Sequence, residues 1–292
     1  RGGIGDLTDA AFAVLGAHIN SAIGVDPTES VRTCGGSHGF ILPDFVAHVT
    51  TLAHPVASDR VYRVFLASLT TGLWQANCYV VAGAGLDTCV IIDPGQDSAA
   101  KVRAVLTENR LEPRAILLTH GHFDHVADAA TLGDEFNIPT YIHRADRQLL
   151  SDPAAGLSAE GVAVIRAAIV GGLAEPARVE AYNPAKTLNV AGLTFTVIEA
   201  PGHTAGSVLL GIDYGGHPTI HRLIFSGDVV FAGSVGRTDL PGGNPAQMAT
   251  TLTEVVLDLS DSTALLPGHG DQTTMAEQRV HNPYLQPGFL RN

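Results

Sequence analysis

The chain is short of lysine, of cysteine and of long apolar runs. Its 17 basic residues include only two lysines, Lys101 and Lys186, and they face 29 acidic residues, for a formal net charge of −12. That excess of negative charge argues against nucleic acid or an anionic membrane surface as a partner. The three cysteines, Cys34, Cys78 and Cys89, are odd in number and scattered, which suits a reducing compartment and not a disulfide framework. The best apolar run, residues 162–173, is well below the roughly 20 residues of a membrane span and carries Arg166. No basic stretch followed by an apolar core opens the chain, so no secretory signal is expected and the protein is read as cytoplasmic. What is plentiful is core-forming material. With 45% hydrophobic residues in 292, the chain can bury a sizeable core in one or two domains.

The richest stretch is Thr119-His120-Gly121-His122-Phe123-Asp124-His125, in which four of seven side chains are good metal ligands. It follows the apolar run Ala115-Ile116-Leu117-Leu118, read as a buried strand, so the ligands stand at the end of rigid backbone. His120 and His122 can share one side of an extended chain, and Asp124 and His125 lie where it turns into a helix expected over 127–136. Imidazole and carboxylate without thiolate is a donor set for zinc, iron or manganese. Three further candidates stand after strand-like runs, each beside a glycine that lets the chain turn sharply. They are His203 in Pro201-Gly202-His203-Thr204, Asp228 in Ser226-Gly227-Asp228 and His269 in Pro267-Gly268-His269-Gly270. Asp93, in Ile91-Ile92-Asp93-Pro94-Gly95, ends another apolar run. The remaining histidines, His18, His38, His48, His54, His143, His217, His221 and His281, show no ligand spacing.

The His-x-His-x-Asp-His pattern, with the later ligands in the same order, resembles the signature of the metallo-β-lactamase superfamily. Finer features resemble its compact glyoxalase II-like branch: Gly72 to Tyr79 before Asp93-Pro94-Gly95, Gly236-Arg237-Thr238-Asp239 after Asp228, and Thr274-Met275-Ala276-Glu277 near the end. The resemblance implies an αββα sandwich of the mixed α/β class and two divalent metal ions, zinc first, with iron or manganese accepted by the same donors. It assigns His120, His122 and His203 to one ion, Asp124, His125 and His269 to the other, and Asp228 as the bridge. Asp124 and Asp228 are then the carboxylates expected to act in catalysis, with Asp93 supporting the ligands from behind. The activity it implies is hydrolysis of small acyl-thiol esters by metal-activated water, as in hydroxyacylglutathione hydrolases. An iron-dependent persulfide dioxygenase and a lactone or ester hydrolase are the alternatives. Asp228 argues against the β-lactamases, many of which use cysteine at that point. Little chain follows His269, so the helical glutathione-binding domain of the long-form enzymes is not expected, and another thiol carrier enters consideration. Arg237 and Arg279 are the candidates to meet an anionic substrate.

The organisation read along the chain is an N-terminal extension, residues 1–60, ahead of a hydrolase domain, residues 61–292. Strands are expected over 62–68, 78–82, 88–92, 140–143, 193–200, 207–212, 223–225 and 263–266. Helices are expected from an N-cap at Ser98 to Asn109, over 245–259, and from Thr274. An insertion over 145–183, with an apolar helix over 162–173, is a candidate wall for the substrate pocket.

Overall fold

The structure, a computed structural model, describes residues 48–49, 64–83, 85–168, 173–183 and 187–290. Two sheets lie at its centre. The first runs in sequence order from β1 (His48–Val49) through β2 (Val64–Thr71), β3 (Ala76–Gly83), β4 (Thr88–Ile92), β5 (Glu112–Leu117) and β6 (Thr140–Ile142) to β7 (Val179–Ala181). Pairing is antiparallel from β1 to β4 and parallel from β4 to β7. Parallel neighbours need crossovers, and helices provide them: α1 (Ala99–Asn109) after β4, then α2 (Phe123–Val126) and α3 (Ala129–Glu135) after β5. The insertion carries α4 (Ala159–Ala168).

The second sheet holds β8 (Leu188–Val190), β9 (Leu193–Glu199), β10 (Val208–Asp213), β11 (Arg222–Gly227), β14 (Thr263–Pro267) and β15 (Thr273–Thr274), in the order β15-β14-β11-β10-β9-β8. A small hairpin, β12 (Val230–Phe231) and β13 (Ser234–Val235), follows β11. Next come α5 (Pro245–Thr251), continued as a π-helical turn over Leu252–Val256, and after β15 comes α6 (Met275–His281).

The period-2 alternation of side chains sorts the apolar residues into three layers. On β3 and β4, Cys78, Val80, Cys89 and Ile91 face α1 and α3, with Val102 and Leu132. Their neighbours Tyr79, Val81, Val90 and Ile92 face the other sheet and meet Phe195, Leu210 and Phe225. On the far side, Leu209, Ile224 and Leu265 pack under Met248, Leu252 and Met275 of the outer helices. Because both sheet faces are covered, these strands read as continuous apolar runs. The result is the expected αββα sandwich, and the open ends of its two sheets hold the candidate site.

Several boundaries moved. Residues His48 and Val49, placed in the extension by sequence, pair with β2 at Ser68 and Ala67, and the rest of 1–60 lies outside the described residues. The helix expected over 127–136 is α3, Ala129–Glu135, and a separate one-turn helix, α2, precedes it over Phe123–Val126. Ser98 stands at the N-cap of α1 but does not cap with its own side chain. Asp128 does so instead, accepting from Ala99 N at 2.7 Å and from the Ser98 hydroxyl at 3.3 Å. At α6 the reciprocal cap is complete, with Thr274 accepting from Glu277 N and Glu277 from Thr274 N. The apolar helix expected over 162–173 runs from Ala159 to Ala168, and residues 169–172 are not described. Strands β8, β12, β13 and β15, two or three residues each, are too short for periodicity to reveal.

Candidate metal centre

All seven expected ligands meet at one place. The end of β5 delivers His120 and His122, and α2 begins at Phe123, so Asp124 and His125 fall in its first turn. The loops after β9, β11 and β14 deliver His203, Asp228 and His269. The donor atoms of His120, His122 and His203 lie within 4.8 Å of one another, and so do those of Asp124, His125 and His269. Asp228 stands between the two groups, with Oδ2 at 3.5 Å from both His203 Nε2 and His269 Nε2, and Oδ1 at 3.4 Å from His125 Nε2. Two glycines are needed for this approach. A Cβ on Gly268 would overlap Asp228 Oδ1 and come within 2.7 Å of His125 Cε1, and a Cβ on Gly227, whose φ is +47°, would overlap Thr119.

Hydrogen bonds behind the ligands fix which imidazole nitrogen is free. His203 Nδ1 donates to the Arg237 carbonyl at 2.8 Å, leaving Nε2 with its lone pair toward Asp228 and 2.8 Å from His122 Nδ1. His125 Nδ1 donates to Asp93 Oδ2 at 3.1 Å, leaving Nε2 facing the other acids and His269. Thr119 donates its hydroxyl to Asp93 Oδ2 at 2.6 Å, so its oxygen can accept only from His120 Nδ1, 3.1 Å away. That leaves His120 Nε2 deprotonated. One carboxylate, Asp93, thus sets the tautomer of two candidate ligands, and it also accepts from Thr119 N at 2.7 Å. Asp93 lies near His120 and His125 as a third possible donor cluster. Its oxygens are already engaged by these three donors.

Electrostatics agree with cation binding. Burial, reinforced by neighbouring imidazoles, lowers the His120 pKa well below its usual value. Burial also lowers His122 to about 3 and His203 to about 4, so these three rings are neutral with lone pairs available. Burial would disfavour charge on His125 as well, but Asp124, Asp228 and Asp93 outweigh it and raise its pKa to about 10. Burial would lower His269 too, but Asp228 and Asp124 raise it. Burial would likewise raise Asp124, yet the positive charge of His125 and His269 holds it below the ordinary carboxylate range. In addition, His120 Nε2 and Asp228 Oδ1, which face the other donors, are buried and make no hydrogen bond. Buried polar atoms without partners are costly, and inward-facing ones here are relieved by a bound cation. The residues present therefore fit metal ions.

Sequence reading missed the residues that hold these loops. Asn77 Nδ2 donates to the carbonyls of Pro267 at 3.1 Å and Gly270 at 2.9 Å, Tyr79 donates to Pro267 O at 2.7 Å, and Asn77 N donates to Gly268 O at 2.7 Å. This ties the His269 loop of one sheet to β3 of the other. Asp146, at the start of the insertion, binds two other ligand loops. The insertion also touches the motif directly: a Cβ on Gly121 would be 2.8 Å from Leu149 Cβ, and one on Gly156 would be 3.0 Å from His122 Cδ2. Trp74 packs edge-on against Phe123 and Phe231 against His269, which gives the site apolar neighbours. The two candidate substrate arginines are already engaged. Arg237 contributes its carbonyl to His203 while its guanidinium forms a bidentate pair with Asp239 at 2.7 Å. Arg279 binds Asp261 and the carbonyls of Leu257 and Leu259.

Residues 71–269 match the metallo-β-lactamase superfamily. The chain belongs to that superfamily, membership that supports a hydrolytic enzyme. A Mycobacterium tuberculosis protein described as uncharacterized is 37% identical over 76% of this chain and 98% of its own length. The hydroxyacylglutathione hydrolase GloC of Haemophilus influenzae is 29% identical over 73% of this chain and 93% of its own length. Among solved structures, the B3 metallo-β-lactamase BLEG-1 is 33% identical, with a TM-score of 0.65 over 76% of this chain and all of its own. TTHA1623, solved in a di-iron-bound form, is 33% identical with a TM-score of 0.59 over 75% and 99%. The His/Asp clusters suggest a dimetal site, and a related structure holds two irons. Among the described residues no helix is long and apolar enough to cross a membrane.

Proposed function

We propose that the protein is a dinuclear metal hydrolase of small acyl-thiol esters. The observation that carries the dinuclear part is Asp228, poised within 3.5 Å of His125, His203 and His269, between two groups of donors. A carboxylate offers two oxygens and so can serve two ions, whereas an imidazole nitrogen offers one lone pair. The two-histidine, one-carboxylate triad of a non-haem iron oxygenase would leave most of these seven donors without a task. Likeness to GloC supports the acyl-thiol refinement.

In this reading His120, His122 and His203 would hold one divalent cation and Asp124, His125 and His269 the other, with Asp228 available to both. Such cations would supply water acidic enough to attack at neutral pH and would polarise the scissile carbonyl. The chain's own part is to aim the donors. Asp93 fixes the tautomer of His120 through Thr119 and the ring of His125 directly, and the Arg237 carbonyl fixes the tautomer of His203. A thioester asks little else of the protein, because a thiol of pKa about 8.5 leaves without help from a general acid. The carbonyl of the residue after Gly236, not its guanidinium, is then what the Gly236-Arg237 turn contributes; recognition of an anionic carrier by Arg237 requires release from Asp239.

The test is hydrolysis of one acyl group, such as lactoyl, on glutathione and on a less charged thiol carrier. Turnover abolished by chelation and restored by zinc, iron or manganese is the expected result. BLEG-1 makes β-lactam hydrolysis the competing reading, so a chromogenic cephalosporin is assayed alongside. Preference for the β-lactam, or oxygen uptake with a thiol persulfide and no thioester turnover, overturns the proposal.

A further inference from the structure

Asp146 lies outside the seven donors, at the start of the insertion, and is 2% exposed. Its carboxylate is the meeting point of two ligand loops. Oδ2 accepts from Gly121 N at 2.9 Å, between His120 and His122, and from the Thr204 hydroxyl at 2.6 Å, next to His203. Oδ1 accepts from Gly206 N at 2.7 Å. The approach is so close that a Cβ on Gly206 would stand 2.6 Å from Asp146 Cγ. Asp146 is itself fixed, with its N–H on the His143 carbonyl at 3.0 Å and its carbonyl receiving Leu149 N at 2.9 Å. At their base the two loops share the backbone bond from Val208 N to Thr119 O, 2.9 Å. Near the ligands, the tie is the Asp146 carboxylate.

We propose that Asp146 is the positioning residue of the three-histidine half of the centre. By holding Gly121 and Thr204 it sets the separation of His122 and His203, whose facing nitrogens are 2.8 Å apart, and so the affinity of that half for a metal ion. The inference rests on the dinuclear reading above. The chemistry requires a carboxylate: three donors converge, and only a group with acceptors on both oxygens satisfies them. Asparagine would put an NH2 against the N–H of either Gly121 or Gly206. Glutamate would reach past both loops. In the other half, the His269 loop is held by Asn77 and Tyr79 and His125 by Asp93, and none of Asp124, His125 and His269 has a hydrogen bond to Asp146.

The experiment titrates cobalt(II) into the chelated full-length protein and follows its electronic spectrum, with H269A used to identify the three-histidine step. Asp146→Asn is expected to weaken that step about 10- to 100-fold, the usual effect of losing a residue that orients ligands, and to leave the other step unchanged. Gly206→Ala, which displaces the carboxylate without removing it, gives the same selective loss, and Thr204→Val gives a smaller one. Leu150→Ala, in the same turn and buried in the neighbouring core, lowers Tm while both affinities hold. Equal weakening of both steps in Asp146→Asn, or the same selective loss in Leu150→Ala, assigns Asp146 a role in general stability and overturns the proposal. If Asp146→Asn does not fold, unchanged affinities in Gly206→Ala and Thr204→Val overturn it equally. One cobalt ion in the wild-type protein, weakened by Asp146→Asn, supports the assignment and overturns the dinuclear reading; no bound ion overturns both.

Discussion

Asp93→Asn is the most informative single change, because it alters no ligand and yet should rewire two of them. The carboxylate accepts three hydrogen bonds: from Thr119 N, from the Thr119 hydroxyl and from His125 Nδ1, at 2.7, 2.6 and 3.1 Å. Asparagine keeps one oxygen. If its NH2 takes the Oδ1 position, it opposes Thr119 N–H, and a buried donor is left unpaired at about 1–3 kcal/mol. If it takes the Oδ2 position, the Thr119 hydroxyl must accept from it and turn its proton toward His120 Nδ1. His120 then carries its own proton on Nε2, where the lone pair for a cation should be, and His125 loses the acceptor that fixed its ring. Either outcome should cost about 10- to 100-fold in metal affinity or activity, or about 1.4–2.7 kcal/mol. Asp228→Ala should cost more, since it removes the group that contacts both halves. Metal affinity by competition with a chromogenic chelator, together with kcat/KM in saturating metal, measures both variants. An Asp93→Asn protein that binds metal as tightly as wild type would refute the tautomer argument, and equal losses at Asp93 and Asp228 would refute the bridging role.

Purified with metal in the medium, the protein should hold close to two ions per chain, and His269→Ala close to one; full activity with one ion per chain contradicts the two-ion site. Gly268→Ala should lose metal at least as severely as His269→Ala, because its Cβ would overlap Asp228 Oδ1, and unimpaired binding would show that the loop can yield. In the metal-free protein, His122 and His203 have pKa values of about 3 and 4 against 6.5 when unfolded, so between about pH 6.5 and 4 the unfolded chain binds more protons. Stability to urea should therefore fall as pH falls through that window, by about 1.4 kcal/mol per pH unit for each such imidazole. His125 acts oppositely: raised to about 10, its contribution is complete below 6.5 and lost as pH climbs through 10. A flat denaturation midpoint from pH 7 to 5 would show that these rings are not held neutral. Because His125 is protonated in the metal-free state, metal binding at neutral pH should release protons and tighten with rising pH, which calorimetry in buffers of different ionisation enthalpy measures.

The seven side chains that converge at the candidate centre, and their order, were legible in the linear chain, because they follow apolar runs and glycines make room for them. The αββα class was legible through the resemblance those motifs carry, whereas periodicity alone said only mixed α/β. The small strands β8, β12, β13 and β15 were not, since two or three residues hold no period. Nor was the cap of α1, which comes from Asp128, thirty positions from Ser98, and not from Ser98 itself. The sequence by itself determined which donors exist and that they stand at strand ends. Only the tertiary structure decided how they are aimed. Asn77 reaches the His269 loop across 190 positions and Asp146 reaches Thr204 across 58, bonds between different elements that no local spacing encodes. The same holds for Arg237 and Arg279, whose charge suggested a substrate contact but whose guanidinium groups meet Asp239 and Asp261 once the chain is folded. A ligand's residue type is a local property; its tautomer, spacing and free lone pair are set by neighbours that only packing brings within hydrogen-bond reach.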